Sequence, residues 1–300
     1  MDRRSGGSIV IWLPLAGTII TAALLRALWE RRTLSVTRKR VTILPSSGKE
    51  IQAEMSDPDL RIAHLSDLHA EHFFIRTEHL IDEIRRSQPD VIVFTGDLSG
   101  PSSATARGVA IITHLHRHPA LKHIPFYAVG GNHDVPEALE LLRHHGIRVL
   151  DNMNDFITVR QQPWQIIGLQ DLRQGQPDLP LALSQPKIIP DFSDQHRIVL
   201  AHNPDTLLRY PQSRAAIWLC GHLHGGQIWA PFRLEYLLLR QEQLPRRGIT
   251  RGLHRIGGQP LYISRGLGCV AIPLRLFSLP ELVILDLIIS PQEEKESVRE

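Results

Sequence analysis

The chain has 300 residues, which is enough for one α/β domain with a large core and a short appendage. Its 34 Lys and Arg residues nearly balance 31 Asp and Glu residues, so the formal charge of +3 gives no strong basic excess for binding nucleic acid. Cys220 and Cys269 stand in no Cys-x-x-Cys pair, so neither a disulfide framework nor a zinc finger is implied. Histidine is unusually frequent, with 16 residues, several of them beside Asp, Asn or Gly.

The N-terminal segment lacks charge from Ser5 to Leu25, and this apolar run is about the length of a membrane-crossing helix. We therefore predict that residues 1–33 form a single-pass membrane anchor rather than a cleaved signal, since no clear Ala-x-Ala site precedes Arg26. More basic residues follow the run than precede it, which predicts a cytoplasmic catalytic domain in the cell membrane. Two arginines before the run also allow a degenerate twin-arginine signal.

A catalytic domain is predicted over residues 34–290, followed by a charged tail over residues 291–300. Alternation from Leu34 to Ile43 predicts a strand. From Leu60 onward, five short apolar runs each end in a polar cluster: RIAHLSDLH, DVIVFTGDLSG, PFYAVGGNHD, RIVLAHNPD and AAIWLCGHLHGGQ. Such runs are typical of buried strands that lead into loops.

Helical patterns separate these strands, from Thr77 to Gln88 and from Pro136 to His145, so the predicted class is α/β. In such sheets the carboxyl ends of the strands form the binding crevice. All five polar clusters fall at those ends. We therefore expect residues that are distant in sequence to meet there.

The polar clusters supply seven residues of metal-binding types: Asp67, His69, Asp97, Asn132, His202, His222 and His224. Imidazole and carboxylate donors without thiolate suit Mn, Fe or Zn rather than Ca or a structural zinc. A bridging carboxylate would hold two cations roughly 3.5 to 4 Å apart, so that a hydroxide between them attacks phosphorus in line. Asp97 is the expected bridge, and Gly96, Gly131 and Gly221 are expected to let the backbone turn sharply before their ligands.

Taken together, these blocks resemble the signature of the calcineurin-like metallophosphoesterases, in family order: Asp67-x-His69, Gly96-Asp97, Gly131-Asn132-His133-Asp134, His202 and Gly221-His222-x-His224. The resemblance covers residues 60–288 and implies a four-layer sandwich of two mixed β-sheets flanked by helices. It also implies two divalent ions, for which Mn is expected and Zn and Fe are also suitable. One ion would take Asp67, His69, Asp97 and His224, and the other would take Asp97, Asn132, His202 and His222.

The same resemblance makes His133 a catalytic residue that donates to a phosphoryl oxygen or to the leaving group. Asp134 would orient the His133 imidazole and raise its pKa. Gly100 stands where many relatives carry an acidic residue, so an outer contact is in question. Arg265, in the SRGLG block, either clamps a substrate phosphate or pins its own loop.

These features predict a metal-dependent hydrolase of phosphodiester or pyrophosphate bonds that acts at a membrane. The HNPD, GHLHGGQ and SRGLG blocks resemble those of membrane-associated bacterial phosphodiesterases. Anchored relatives include UDP-2,3-diacylglucosamine pyrophosphohydrolases, which suggests a lipid-linked substrate. The segment from Trp229 to Arg247 mixes apolar and basic residues and is either core or a lid that contacts the membrane.

Two other functions remain open at this stage. A phosphoprotein phosphatase would use the same metal ligands, and an inactive membrane scaffold would keep the fold alone. The sequence argues against the scaffold because no ligand position has been lost. A nuclease is disfavoured by the balanced charge, and no protein partner can be inferred.

Overall fold

The structure is a computed structural model that describes residues 7–43, 57–184, 192–228 and 241–290, with side chains from residue 17 onward. Within these residues the chain forms two six-stranded β-sheets that pack face to face. The tail over 291–300 and most of the segment from Trp229 to Arg247 lie outside the described residues.

The first sheet has the strand order β1-β12-β2-β3-β4-β5. Its strands are β1 (Ser35–Ile43), β2 (Leu60–Leu65), β3 (Val91–Phe94), β4 (Phe126–Ala128), β5 (Arg148–Val149) and β12 (Glu281–Ile289). Strands β2 to β5 run parallel to one another, whereas β12 is antiparallel to β2 and parallel to β1. This sheet is therefore mixed, and the strand predicted from Leu34 to Ile43 is confirmed as β1.

The second sheet has the order β10-β11-β9-β8-β7-β6. It contains β6 (Met153–Val159), β7 (Gln162–Gly168), β8 (Arg197–Leu200), β9 (Ile217–Cys220), β10 (Gly252–Ile256) and β11 (Gln259–Ile263). Its centre, from β7 through β8 and β9 to β11, is parallel, and both edge pairs are antiparallel. The carboxyl ends of β8 and β9 therefore lie on the same edge of this sheet.

Helices cover the outer face of each sheet. The covering helices are α2 (Thr77–Ser87), α3 (Thr105–Arg117), α4 (Pro136–His144), α5 (Leu179–Ser184) and α6 (Gln243–Arg246), and α1 (Gly7–Glu30) precedes β1 in the chain. The two predicted helices are confirmed as α2 and α4. Apolar residues of α2, α3 and α4 pack on the first sheet, and residues of α5 and the start of α6 pack on the second. The calcineurin-like four-layer arrangement with two mixed sheets is thus confirmed.

Each sheet has helices on its outer face and the other sheet on its inner face. Its central strands are therefore apolar on both faces. In β2, Ala63 and Leu65 pack toward the helices, whereas Leu60 and Ile62 pack into the layer between the sheets. That middle layer includes the fully buried Trp164 of β7. Continuous apolar runs, rather than alternation, are the pattern expected for such strands.

The N-terminal run is helical as α1, but the predicted transmembrane helix is not supported: in the part of the chain that the structure describes, no helix is both long and apolar enough to cross a membrane. The carboxyl end of α1 instead contacts the loop before β12. Arg31, just after the helix, donates to the Pro273 carbonyl oxygen at 2.7 Å, and the Arg26 guanidinium lies 4.3 Å from the centre of the Phe277 ring.

Close packing between the sheets predicts the effect of a single methyl group at Gly168, the last residue of β7. A Cβ atom there would lie 2.2 Å from Leu150 Cβ and 2.8 Å from Val129 Cγ1. We expect Gly168→Ala to lower the free energy of unfolding by about 1 to 3 kcal/mol, since the crowded layer must shift to admit it. Denaturant unfolding would measure the change.

Gly17→Ala is the matched control because a Cβ at Gly17, in α1, would meet no atom within 4 Å. This variant should be neutral or slightly more stable, since Ala favours a helix over Gly by about 1 kcal/mol. Equal losses in the two variants would show that crowding between the sheets is not the cause.

Candidate metal centre

The predicted metal ligands lie where five strands end. Asp67 and His69 follow β2, Asp97 follows β3, Asn132 follows β4, His202 follows β8, and His222 and His224 follow β9. Strands β2, β3 and β4 are parallel neighbours in one sheet, and β8 and β9 are parallel neighbours in the other. Packing of the two sheets therefore brings all five ends to one edge, as predicted.

Six of the seven predicted ligands form two compact groups. The first contains Asp67, His69 and His224, and the second contains Asp97, His202 and His222. Within each group, one ligand atom from every residue lies within 4.8 Å of the others, and all six residues are buried. Each group offers one carboxylate and two imidazoles, a donor set that suits a divalent transition metal.

Asp97 joins the two groups through a single oxygen. Its Oδ2 lies 3.5 Å from His69 Nε2 in the first group and 3.2 Å from His202 Nε2 in the second. A carboxylate in this position can contact cations in both groups. The geometry therefore agrees with the bridging role predicted for Asp97.

Polar atoms without partners test whether metal ions fit this site. His69 Nδ1, His69 Nε2 and Asn132 Oδ1 are buried and have no hydrogen-bond partner among the described residues. Buried nitrogen and oxygen atoms normally have partners, because leaving them unpaired is costly. Two divalent cations would satisfy His69 Nε2 and Asn132 Oδ1, while His69 Nδ1 faces Glu71 at 3.4 Å, so the residues fit the ions that the sequence predicts.

The backbone is strained at the ligands themselves. Five of the seven predicted ligands have a positive φ, between 39° and 72°: Asp67, His69, Asp97, His222 and His224. Residues other than glycine rarely adopt this left-handed backbone conformation, which costs about 1 to 3 kcal/mol per residue. Such strain at adjacent loops is typical of a functional site.

The three glycines act in two different ways. Gly96 has a φ of +92° and supplies the sharp turn that the sequence predicts before Asp97. Gly131 and Gly221 do not have a positive φ, so that prediction is wrong for them. They are needed for close approach: a Cβ would lie 2.2 Å from Asp97 Oδ1 at Gly131 and 1.9 Å from Ser66 Oγ at Gly221.

His133 is exposed beside the first group, and its ring centre is 5.5 Å from that of His69. Asp134 does not orient the His133 ring, contrary to the prediction. The Asp134 carboxylate instead accepts hydrogen bonds from three backbone N–H groups, those of Asp97, Leu98 and Gly131. Asp134 therefore ties the loop after β4 to the loop after β3.

Arg265 has contacts that favour the loop-pinning alternative over the phosphate clamp. Its guanidinium donates to Glu281, Ser35 and Thr37. The same loop is held from the other side by the fully buried Arg275, which donates to the carbonyl oxygens of residues 265, 266 and 268. The SRGLG block thereby packs against the loop that carries Asp67. The Gly268 N–H donates to the Asp67 carbonyl oxygen at 2.8 Å.

Comparison with known proteins places these features in a family. Residues 60–226 match the family model described as calcineurin-like phosphoesterase, which is more than half of the chain. The chain belongs to the calcineurin-like phosphoesterase family. It is 30% identical to the uncharacterized metallophosphoesterase YkoQ of Bacillus subtilis, over 74% of this chain and 82% of the relative.

Two further relatives agree with this assignment. The phosphodiesterase YaeI of Escherichia coli is 29% identical, over 76% of this chain and 82% of YaeI. A transmembrane protein with metallophosphoesterase domain from Danio rerio is 27% identical, over 74% of this chain and 52% of the relative. With its family and its two candidate metal sites, the protein is a metal-dependent phosphoesterase.

Two glutamates at the site were not predicted from the sequence. Glu71 lies 3.4 Å from His69 Nδ1, and both of its oxygens accept the Gly100 N–H, at 2.9 and 3.1 Å. A Cβ at Gly100 would lie 2.6 Å from Glu71 Oε1, so the Glu71 carboxylate occupies the space beside Gly100. The spacing from His69 was the only sequence signal for Glu71.

Glu242 is the second unpredicted residue, and it contacts His222. Burial raises the pKa of Glu242, but the hydrogen bond from His222 outweighs burial and the pKa falls to about 2. No motif precedes this position. The contact arises only because α6 packs beside the end of β9.

Without metal ions, carboxylates control the protonation of the buried histidines. Burial lowers the pKa of His69, but the nearby carboxylates of Asp97 and Glu71 outweigh burial and raise the pKa to about 9. Burial also lowers the pKa of His202, whereas the charge of Asp97 raises it to about 10. At pH 7 in the metal-free protein, both rings are therefore protonated on both nitrogens and positively charged.

These raised pKa values predict that metal binding releases protons. A metal needs the unprotonated Nε2, so it must displace the proton that each histidine holds below about pH 9. As the pH rises from 6 to 9, we expect the dissociation constant for Mn²⁺ to fall about tenfold per pH unit for each proton released. Calorimetry in two buffers of different ionisation enthalpy would count the protons.

His144→Gln is the control, because the His144 side chain is 72% exposed on α4, and it should leave the proton count unchanged. Binding enthalpies at pH 7 that are identical in both buffers would mean that no proton is released. That result would contradict the protonated histidines.

Proposed function

We propose that the protein hydrolyses phosphodiester or pyrophosphate bonds with two divalent metal ions held by its two ligand groups. The observation that carries this proposal is the single Asp97 oxygen within 3.5 Å of imidazole nitrogens from both groups. Two ions bound there would stabilise charge on the phosphoryl oxygens and lower the pKa of an attacking water. Mn²⁺ is the proposed metal because nitrogen and oxygen donors suit it, and Zn²⁺ and Fe²⁺ are the alternatives.

The ligand sets proposed for the ions follow the two groups. Asp67, His69, Asp97 and His224 would hold the first ion, and Asp97, Asn132, His202 and His222 would hold the second. The buried, unpaired Asn132 Oδ1 supports the inclusion of Asn132. Its loop is fixed beside Asp97, since the His133 N–H donates to Asp97 Oδ1 at 3.0 Å.

His133 is proposed to protonate the leaving oxygen. Its backbone is held against Asp97, yet its side chain is exposed and outside both ligand groups. An imidazole in this position can approach the bound substrate without serving a metal ion. Proton donation to the leaving group typically contributes about 10² to 10⁴ to the rate.

A phosphodiester substrate is supported by the relative from Escherichia coli, which is named a phosphodiesterase. We further propose that the substrate is lipid-linked and reached at a membrane surface. Several apolar side chains in the second half of α1 are exposed, among them Ile19, Ile20, Leu24 and Leu25. The relative from Danio rerio is named a transmembrane protein. The cytoplasmic location of the catalytic domain remains a prediction.

The full chain with Mn²⁺ should be tested on a nucleotide-linked diacyl glycolipid, a small aryl phosphodiester and a phosphopeptide. We expect monoester products from the first two substrates, identified by ³¹P NMR and mass spectrometry. Turnover of the phosphopeptide alone would favour a phosphoprotein phosphatase. Absence of turnover on every substrate, with both metals bound, would favour a scaffold.

Asp97→Ala should abolish turnover and bound metal together, because it removes the oxygen that reaches both groups. Metal content per chain would be measured by plasma emission spectrometry after gel filtration. Asp82→Asn is the control, because Asp82 is an exposed residue of α2 that pairs with Arg85. This variant should keep both turnover and bound metal. An inactive Asp97→Ala protein with two full metal equivalents would contradict the bridge.

His133→Asn should separate chemistry from metal binding. The rate on a substrate with a poor leaving group should fall by about 10² to 10⁴, while metal content stays near two equivalents. A nitrophenyl diester is the internal control, because its leaving group needs little protonation and should lose less rate. Full activity on the poor leaving group would show that His133 is not the proton donor.

A further inference from the structure

Glu242 is a buried carboxylate that lies immediately before α6 and contacts the second ligand group from outside. Its Oε1 is 2.7 Å from His222 Nε2, and the Arg173 guanidinium contacts the same oxygen. The Glu242 side chain is 4% exposed, whereas that of Arg173 is 44% exposed. Glu242 thus sits between a metal-ligating histidine and the protein surface.

The contact determines which His222 nitrogen carries the proton. An ionised carboxylate only accepts hydrogen bonds, so Nε2 must donate. In the neutral ring, Nδ1 then keeps its lone pair. Nδ1 lies 3.2 Å from His202 Nε2, on the side of the ring that faces the second group.

His202 is fixed in a complementary way. Its Nδ1 lies 2.7 Å from the Thr95 carbonyl oxygen, which can only accept, so Nδ1 donates and Nε2 has the free lone pair in the neutral ring. When both rings are neutral, as metal binding requires, the two lone pairs face each other across 3.2 Å. A cation bound between the two nitrogens would satisfy both lone pairs.

We infer that Glu242 is a positioning residue that holds His222 in the tautomer and orientation that bind the second metal ion. The inference rests on the proposed two-metal function, which it deepens. A carboxylate behind a metal-bound histidine fixes the ring and makes its metal-facing nitrogen more basic. Arg173 would then anchor the carboxylate without touching the histidine.

The segment that carries Glu242 is fixed independently of this contact. The Asp205 carboxylate accepts hydrogen bonds from the backbone N–H groups of Gln243 and Leu244, at the start of α6. Asp205 belongs to the same HNPD block as His202. One block therefore supplies a ligand to the second group and places the carboxylate that supports another ligand.

The test is a titration of the metal-free full chain with Mn²⁺, in the wild type and in Glu242→Gln. Stepwise dissociation constants would be measured by calorimetry and by electron paramagnetic resonance of free Mn²⁺. The glutamine keeps the size of the side chain but removes its charge and can present its NH₂ group to His222. We expect one site to keep its affinity and the other to weaken by about 10- to 100-fold.

Arg173→Met is the matched control, since it removes the other partner of Glu242 and leaves the carboxylate on His222. Its second dissociation constant should stay within about threefold of the wild-type value. Glu242→Asp, which keeps the charge, should recover part of the lost affinity. Activity of Glu242→Gln should return at high Mn²⁺ concentration, whereas a misfolded protein would not recover.

Three outcomes would overturn the inference. Wild-type affinities at both sites in Glu242→Gln would show that the carboxylate does not support His222. Equal losses in Glu242→Gln and Arg173→Met, with equal falls in melting temperature, would assign the pair to structure alone. A wild-type protein that binds only one equivalent would reject the two-metal function itself, and the inference with it.

Discussion

The position of the Asp97 carboxylate is the constraint on which the rest of the site depends. Burying a charged carboxylate is costly unless charges or hydrogen bonds surround it, and Asp97 is 2% exposed. Its partners come from both sheets: His69 after β2, His202 after β8, and the His133 N–H after β4. Burial raises the pKa of Asp97, but His202 and His69 outweigh it and hold the pKa well below its usual range.

Much of the surrounding structure serves to keep strained loops in place around that carboxylate. Asp134 accepts three backbone N–H groups and joins the loops after β3 and β4. Arg275 binds successive carbonyl oxygens of the loop that packs on Asp67. Left-handed backbone at five ligands would relax if these supports were absent.

Local patterns in the sequence predicted the α/β class and the candidate metal ligands, whereas the two-sheet sandwich was implied by the resemblance to the family. A buried strand followed directly by Asp or His can be identified from neighbouring residues alone. Five such strands imply that these side chains lie at one sheet edge. The support around the ligands could not be predicted in this way. The role predicted for Asp134 was wrong because two of its partners, Asp97 and Leu98, are 36 to 37 positions away and the third, Gly131, is 3 positions away; none is the neighbouring His133. Glu242 is 20 positions from His222, and only tertiary packing brings them together.

Both sheets contribute residues to each ligand group, so metal binding there would be coupled to folding. The first group joins the end of β2 to the end of β9, and the second joins β3 to β8 and β9, so each group spans both sheets. Neither group can form unless the apolar layer between the sheets is packed. Ions that bind only the folded state stabilise it by about 2.7 kcal/mol at a free concentration 100 times the dissociation constant. Because each proposed ion would join ligands from both sheets, this stabilisation would act directly on sheet packing, and it would offset the backbone strain that the ligand loops carry.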